Sequence, residues 1–65
     1  MSFKTADALV VGDVIVHNGQ RMRIESIRYQ VPGYDEPVTV TARATEATYT
    51  TTLSWWDETP VEVVP

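Results

Sequence analysis

The chain has 65 residues, no cysteine and a net charge of −4 from nine acidic and five basic side chains. This length allows one domain, residues 1–65, and the absence of cysteine excludes disulfides and thiolate zinc sites as sources of stability. Because there is no apolar leader and no run of about 20 apolar residues, we expect a soluble, cytoplasmic protein.

The acidic residues are concentrated in the last third of the chain. Residues 44–65 contain Glu46, Asp57, Glu58 and Glu62 and neither lysine nor arginine. Nucleic-acid binding depends largely on the neutralisation of phosphates, so this charge balance disfavours a nucleic-acid partner. It favours a partner protein with a basic surface.

The N-terminal segment predicts a short lead-in to the first strand. Thr5 can begin one helical turn, which is too short to be stable alone. We expect Phe3 and Leu9 to cover one end of the core.

The dipeptide Asn18-Gly19 is a hairpin turn signal between two short apolar strands. Two turn geometries compete. A two-residue turn would pair Ile15 with Met22, whereas a three-residue loop would pair Val14 with Met22. We favour the loop, because it gathers more apolar side chains on one face, and it leaves Ile15 on the outer face.

The second strand carries a break in its apolar period. Ile24 and Ile27 are three positions apart, so a bulge at Glu25 and Ser26 would let both isoleucines face inward and would bend the strand, as closure into a barrel requires. The following segment, residues 31–37, contains prolines that cannot donate to a sheet ladder, so it is the longest loop.

Residues 38–55 give the strongest signal in the chain. Apolar and polar residues alternate along two segments, and a turn at Glu46 and Ala47 places Val40 opposite Leu53 on the core face. The other face then carries threonine pairs, which predicts a half-buried antiparallel hairpin. Residues 61–64 predict a last strand that can pair with the first.

These elements predict an all-β fold, a single five-stranded antiparallel barrel that resembles the SH3-like small barrels. Residues 12–20, GDVIVHNGQ, followed by Met22-Arg23-Ile24, resemble the opening hairpin of KOW-type barrels, as in translation elongation factor P. The resemblance implies a barrel that contacts RNA or a protein partner. Residues 12–27 depart from it, because they lack the conspicuously basic loops expected of an RNA-binding member. In size, acidity and threonine and valine content the chain also resembles short orphan open reading frames of actinobacterial phages.

The sequence does not indicate an enzyme. His17 is the only histidine and belongs to a turn, and no nucleophile and base pair is suggested. The phosphate-binding, dinucleotide-binding and metal-ligand spacings are absent. We therefore predict no catalytic residue, no metal and no cofactor.

Adjacent tryptophans carry the functional prediction. Neighbours on a strand face opposite sides, so with Trp55 in the core Trp56 emerges on the outer face or at the strand end, where it either contacts a partner or caps the fold. We predict a non-catalytic protein-interaction module, phage-encoded if the resemblance holds. Its predicted contact residues are Trp56, Tyr34, Tyr29, Asp57 and Glu58.

Two alternatives stay open. The first is a KOW-like nucleic-acid-binding module that uses Arg21, Arg23, Arg28 and Arg43, with aromatic side chains stacking on bases. The second is a structural homo-oligomer or virion component, because strand edges are available for pairing.

Overall fold

Six strands in one antiparallel sheet form the protein in the computed structural model, which describes residues 2–28 and 37–65. The strands are β1 (Ser2–Thr5), β2 (Val14–His17), β3 (Gln20–Arg28), β4 (Val38–Ala44), β5 (Thr50–Trp55) and β6 (Pro60–Val63). Their order in the sheet is β1-β6-β2-β3-β4-β5. A 3-10 turn, Ala6–Ala8, follows β1. None of the described residues forms a helix with the length and hydropathy needed to cross a membrane.

The all-β antiparallel class is confirmed, but the five-stranded closed barrel is wrong. Ser2–Thr5, which the sequence indicates as a lead-in, forms an additional strand that pairs with β6. Among the described residues β1 and β5 end the strand order without pairing with each other, so the sheet is open. A four-residue strand with one large apolar side chain is too short to produce a periodic signal.

The hairpin of β4 and β5 has the predicted register. Val40 lies opposite Leu53, and Thr41 lies opposite Thr52. Val40 is buried and Leu53 packs half-buried against the core, whereas Thr52 is exposed. The apolar alternation therefore sorts this hairpin into a core face and an outer face, as predicted.

The turn between β2 and β3 has the two-residue geometry, so the preferred three-residue loop is wrong. Ile15 pairs with Met22, and Val14 and Val16 lie half-buried on the outer face. The φ angles of Asn18 and Gly19 are 51° and 77°. Positive φ at both central positions is the requirement of a type I′ turn, which this dipeptide meets at low cost. Ile15 is consequently fully buried, and the prediction that it faces outward is wrong.

The predicted bulge in the second strand is confirmed. Ile24 lies opposite Ala42, and Ser26 lies opposite the next residue of β4, so Glu25 is the extra residue. Beyond the bulge, Ile27 packs against the core. The extra residue thus restores the apolar face that the three-residue spacing would otherwise lose.

The last strand returns to the first hairpin, as predicted, and also pairs with β1. Val63 lies opposite Ser2 of β1 and opposite Ile15 of β2. β6 therefore joins the N-terminal strand to the rest of the sheet.

The core lies against one face of the sheet, which we call the core face. Its buried members are Ala6, Leu9, Ile15, Met22, Ile24, Val38, Val40, Ala42, Ala44, Val61 and Val63. Leu9 is buried as predicted, but Phe3 is 58% exposed. The prediction that Phe3 covers the core is wrong, because strand pairing places it opposite Glu62 on the outer face.

Candidate functional site

The turn after β5 is bonded to the N-terminal segment. The N–H of Thr59 donates to the carbonyl of Trp56 at 3.0 Å, and the N–H of Asp7 donates to the carbonyl of Asp57 at 3.1 Å. The N–H of Ala6, a fully buried residue, donates to the carbonyl of Thr59 at 3.0 Å. These bonds attach the turn to the core, so Trp56 is presented from an anchored backbone.

The two adjacent tryptophans lie in different environments. Trp55 lies opposite Val38 and packs half-buried against the core. Trp56 is 56% exposed. The alternation of side chains along a strand accounts for this division. More than half of the surface of Trp56 is available for contact with another molecule.

Three acidic residues share this turn with Trp56. Asp57 and Glu58 follow it directly, and Asp7 is brought beside Asp57 by the backbone hydrogen bond. All three are exposed, and the hydroxyl of Thr5 donates to Asp7 Oδ1 at 2.5 Å. Within residues 2–28 and 37–65, none of the three forms an ion pair. We call Asp7, Trp56, Asp57 and Glu58 the acidic–aromatic surface.

Asp7 is the member of this surface that sequence reasoning missed. It precedes Trp56 by most of the length of the chain, and nothing in the local sequence links the two. Only the pairing of β1 with β6 brings the N-terminal turn to the end of β5.

Two predicted contact residues, Tyr29 and Tyr34, fall outside the residues that the structure describes, so their convergence with Trp56 stays a prediction. The third tyrosine, Tyr49, lies within the described residues. It is 44% exposed, and its hydroxyl donates to Gln20 Oε1. Because Tyr49 precedes β5 and Trp56 follows it, Tyr49 lies at the other end of the strand.

The outer face of the sheet carries the predicted basic residues. Arg23 of β3 lies directly opposite Arg43 of β4, and Arg21 is two positions from Arg23 on the same face. Arg28 lies beyond the bulge, opposite Thr39. The structure therefore brings Arg21, Arg23 and Arg43 together and leaves Arg28 farther along β3.

One of these arginines has an acidic partner. Arg43 Nε donates to Glu25 Oε2 at 3.0 Å, from the residue that the bulge inserts. In the described part of the chain, Arg21 and Arg23 have no carboxylate within salt-bridge distance. A shallow cleft of about 290 Å³ lies beside Arg23, Glu25 and Arg43. Like charges directly opposite each other destabilise a sheet, so this face can gain from an anionic ligand.

A larger cleft, of about 470 Å³, lies between the tips of the two hairpins. Its lining consists of Gly19, Gln20, Arg21, Ala44, Glu46 and Ala47. His17 does not line this cleft, and its Nε2 lies 3.3 Å from Asn18 Nδ2 within the turn. Among the residues that the structure describes, no three His, Asp or Glu side chains are grouped so that they could hold a metal ion.

No protein-family model matches this sequence, and no curated protein matches it. The structure shows a small all-β antiparallel sheet. Function has to be inferred from the surface chemistry of this chain.

Proposed function

We propose that this protein is a non-catalytic interaction module that binds a basic protein segment through the acidic–aromatic surface. The observation that carries the proposal is Trp56, which is 56% exposed on a turn held by backbone hydrogen bonds. Tryptophan is enriched among the residues that dominate binding energy at protein interfaces. An anchored backbone lowers the entropy that such a residue loses on binding.

The charge of the surface supports a basic partner. Asp7, Asp57 and Glu58 are exposed beside the indole, without cationic partners among the described residues. A guanidinium or ammonium group can lie over the indole face while the carboxylates neutralise its charge. The net charge of −4 also steers a basic partner towards the molecule.

The SH3-like resemblance agrees with this role. The strands β2 to β5 follow one another in the sheet and the last strand lies beside β2, which supports this part of the proposal. SH3-type domains bind peptides with aromatic residues in their loops, and we propose that Tyr29 and Tyr34 extend the contact made by Trp56. A cytoplasmic location and a phage origin belong to the same proposal and are supported by composition alone.

A peptide array of lysine-containing and arginine-containing sequences tests the proposal. The affinity of the selected peptide is then measured by fluorescence anisotropy. Trp56→Ala should weaken binding by about 2 kcal/mol, which is about 30-fold. Phe3→Ala is the matched control, because Phe3 is an equally exposed aromatic residue on the outer face. Equal affinities for the two variants would contradict the proposal.

The outer-face arginines favour a second candidate, the KOW-like nucleic-acid-binding module. Arg23 and Arg43 lie directly opposite each other, and of the two only Arg43 has a carboxylate partner among the described residues, Glu25. None of the cross-strand partners of Arg21, Arg23, Arg28 and Arg43 is aromatic, so these pairings provide no platform for base stacking. This candidate therefore ranks second.

The same anisotropy assay separates the two candidates when a short single-stranded RNA replaces the peptide. Contacts from three arginines to phosphates would give a slope of about −2 for the logarithm of affinity against the logarithm of salt concentration. We expect no such binding. Salt-dependent RNA binding that is lost in Arg23→Glu and retained in Trp56→Ala would favour the nucleic-acid-binding module and would contradict the interaction module.

A further inference from the structure

The two edges of the sheet differ in how they are protected. β1 has four residues and places a charged residue, Lys4, on the core face opposite Val61. Lys4 Nζ lies 3.0 Å from Asp13 Oδ2. Short length and an inward-facing charge are features that keep an edge strand from pairing with another chain.

β5 lacks these protective features. Its six residues, TTTLSW, include no charged residue and no proline, and its pairing with β4 is regular, without a bulge. β-branched and aromatic side chains make up most of the strand, which suits it for further strand pairing. No strand among the described residues pairs with its outer side.

The direction of the free backbone groups of β5 follows from the ladder. The N–H of Ala44 donates to the carbonyl of Tyr49 at 3.1 Å, so every second pair from there is hydrogen-bonded to β4. The intervening residues, Thr50, Thr52 and Ser54, therefore turn their N–H and carbonyl groups away from β4. These N–H groups can donate hydrogen bonds to an added strand, and these carbonyl groups can accept hydrogen bonds from it.

We propose that β5 pairs antiparallel with β5 of a second copy of this chain, about a twofold axis at Leu53. Residues directly opposite each other in an antiparallel pair point to the same face, and successive side chains alternate between faces. A twofold axis normal to the sheet therefore keeps the two core faces on one side only if it passes through a residue position and not between two residues. With the axis at Leu53, Thr52 and Ser54 exchange backbone hydrogen bonds with Ser54 and Thr52 of the second copy.

The side chains and the length of β5 select this register over its two neighbours. With the axis at Leu53, this leucine meets its symmetry mate and Thr51 meets Trp55 of the second copy on the core face. An axis at Thr52 would instead place Leu53 against Thr51, and an axis at Ser54 would pair only residues 53–55 of β5. Apolar pairs and pairs of an aromatic with a β-branched residue stabilise a sheet, so the axis at Leu53 is preferred.

Charge and burial identify a second copy as the occupant. Two chains of charge −4 repel each other, but β5 is neutral, and antiparallel pairing sends Asp57 and Glu58 of the two copies to opposite ends of the interface. Leu53 and Trp55 face the core and yet are only half-buried in one chain. A second copy covers the remaining apolar surface with the same side chains, which an unrelated extended peptide would not supply.

A single introduced thiol tests the register, because the chain has no cysteine. Leu53→Cys would place two thiols in a non-hydrogen-bonded pair, with Cα atoms about 4.5 Å apart and within disulfide range. Thr52→Cys is the matched control, because its symmetry mate is a diagonal neighbour about 7–8 Å away. In a glutathione redox buffer we expect a covalent dimer from Leu53→Cys only. A dimer from Thr52→Cys alone, from both variants equally, or from neither would overturn the proposal.

Sedimentation equilibrium gives a test that does not depend on the leucine. Thr52→Pro removes an N–H that points away from β4, so the ladder within the chain keeps its bonds. We expect a dissociation constant at least about tenfold higher than that of the wild type or of the Thr52→Val control. A wild-type chain that stays monomeric at millimolar concentration, or one that forms open assemblies instead of dimers, would refute the twofold pairing. Asp7→Asn changes the acidic–aromatic surface outside β5 and should dimerise normally, so this result is independent of the proposed function.

Discussion

Ile15 gives the sharpest test of how β2 is oriented. Its side chain is fully buried, opposite Met22 on β3 and Val63 on β6. Ile15→Ala removes three carbon atoms at about 0.8 kcal/mol each, or about 2.4 kcal/mol, and the remaining cavity raises the loss to about 3–4 kcal/mol. A domain of this length is stabilised by about 3–10 kcal/mol. The substitution should therefore remove about 30% or more of the free energy of unfolding.

Val16→Ala is the matched control for this test. Val16 is the next residue of β2 and lies half-buried on the outer face, so truncation removes two carbons that are only partly buried. We expect a loss of about 1 kcal/mol. Urea unfolding followed by tryptophan fluorescence measures both variants, with little change in the m-value. The melting temperature of Ile15→Ala should fall by about 20–30 °C.

The two variants also decide between the two turn geometries. If Val16→Ala is more destabilising than Ile15→Ala, then Val16 faces the core and Ile15 does not. That result would restore the three-residue loop and refute the pairing of Ile15 with Met22 described above.

Two further predictions concern the backbone of the sheet. Gly19 has a φ of 77°, and nothing lies within 4 Å of an added Cβ, so a substitution here costs free energy through backbone conformation alone. Gly19→Ala should lower the free energy of unfolding by about 1–2 kcal/mol in thermal melts, and Gly19→Asn should lower it less. Equal losses for the two variants would contradict this reasoning. Deletion of Glu25 removes the bulge but leaves Ile24 and Ile27 two positions apart, so both stay on the core face and the amide spectrum should keep its dispersion. Glu25→Ala loses only an exposed ion pair with Arg43 and should cost at most about 1 kcal/mol. A collapsed spectrum for the deletion would show that the fold needs the bend of the strand as well as its apolar face.

The acidic–aromatic surface was predictable only in part. Trp56, Asp57 and Glu58 are consecutive, and strand alternation is enough to separate the environments of Trp55 and Trp56. Asp7 reaches the same turn through a backbone hydrogen bond between the two ends of the chain. No local pattern reports such a contact, because it depends on where β1 is placed in the sheet.

The sequence by itself determined the features that neighbouring residues control. The register of β4 and β5 follows from period-2 alternation on both sides of a short turn, and the bulge follows from the spacing of Ile24 and Ile27. In both cases one arrangement alone keeps the apolar side chains on a single face.

Only the tertiary structure decided the orientation of β2 and the openness of the sheet. Both turn geometries give β2 a partly apolar face, so the apolar pattern leaves the choice open. Type I′ geometry at Asn18-Gly19 and the contact of Ile15 with Val63, a residue near the other end of the chain, select the buried face. β1 is likewise a strand because β6 supplies its hydrogen bonds. A short extended segment gains its stability from a partner strand, and its own sequence does not specify that partner.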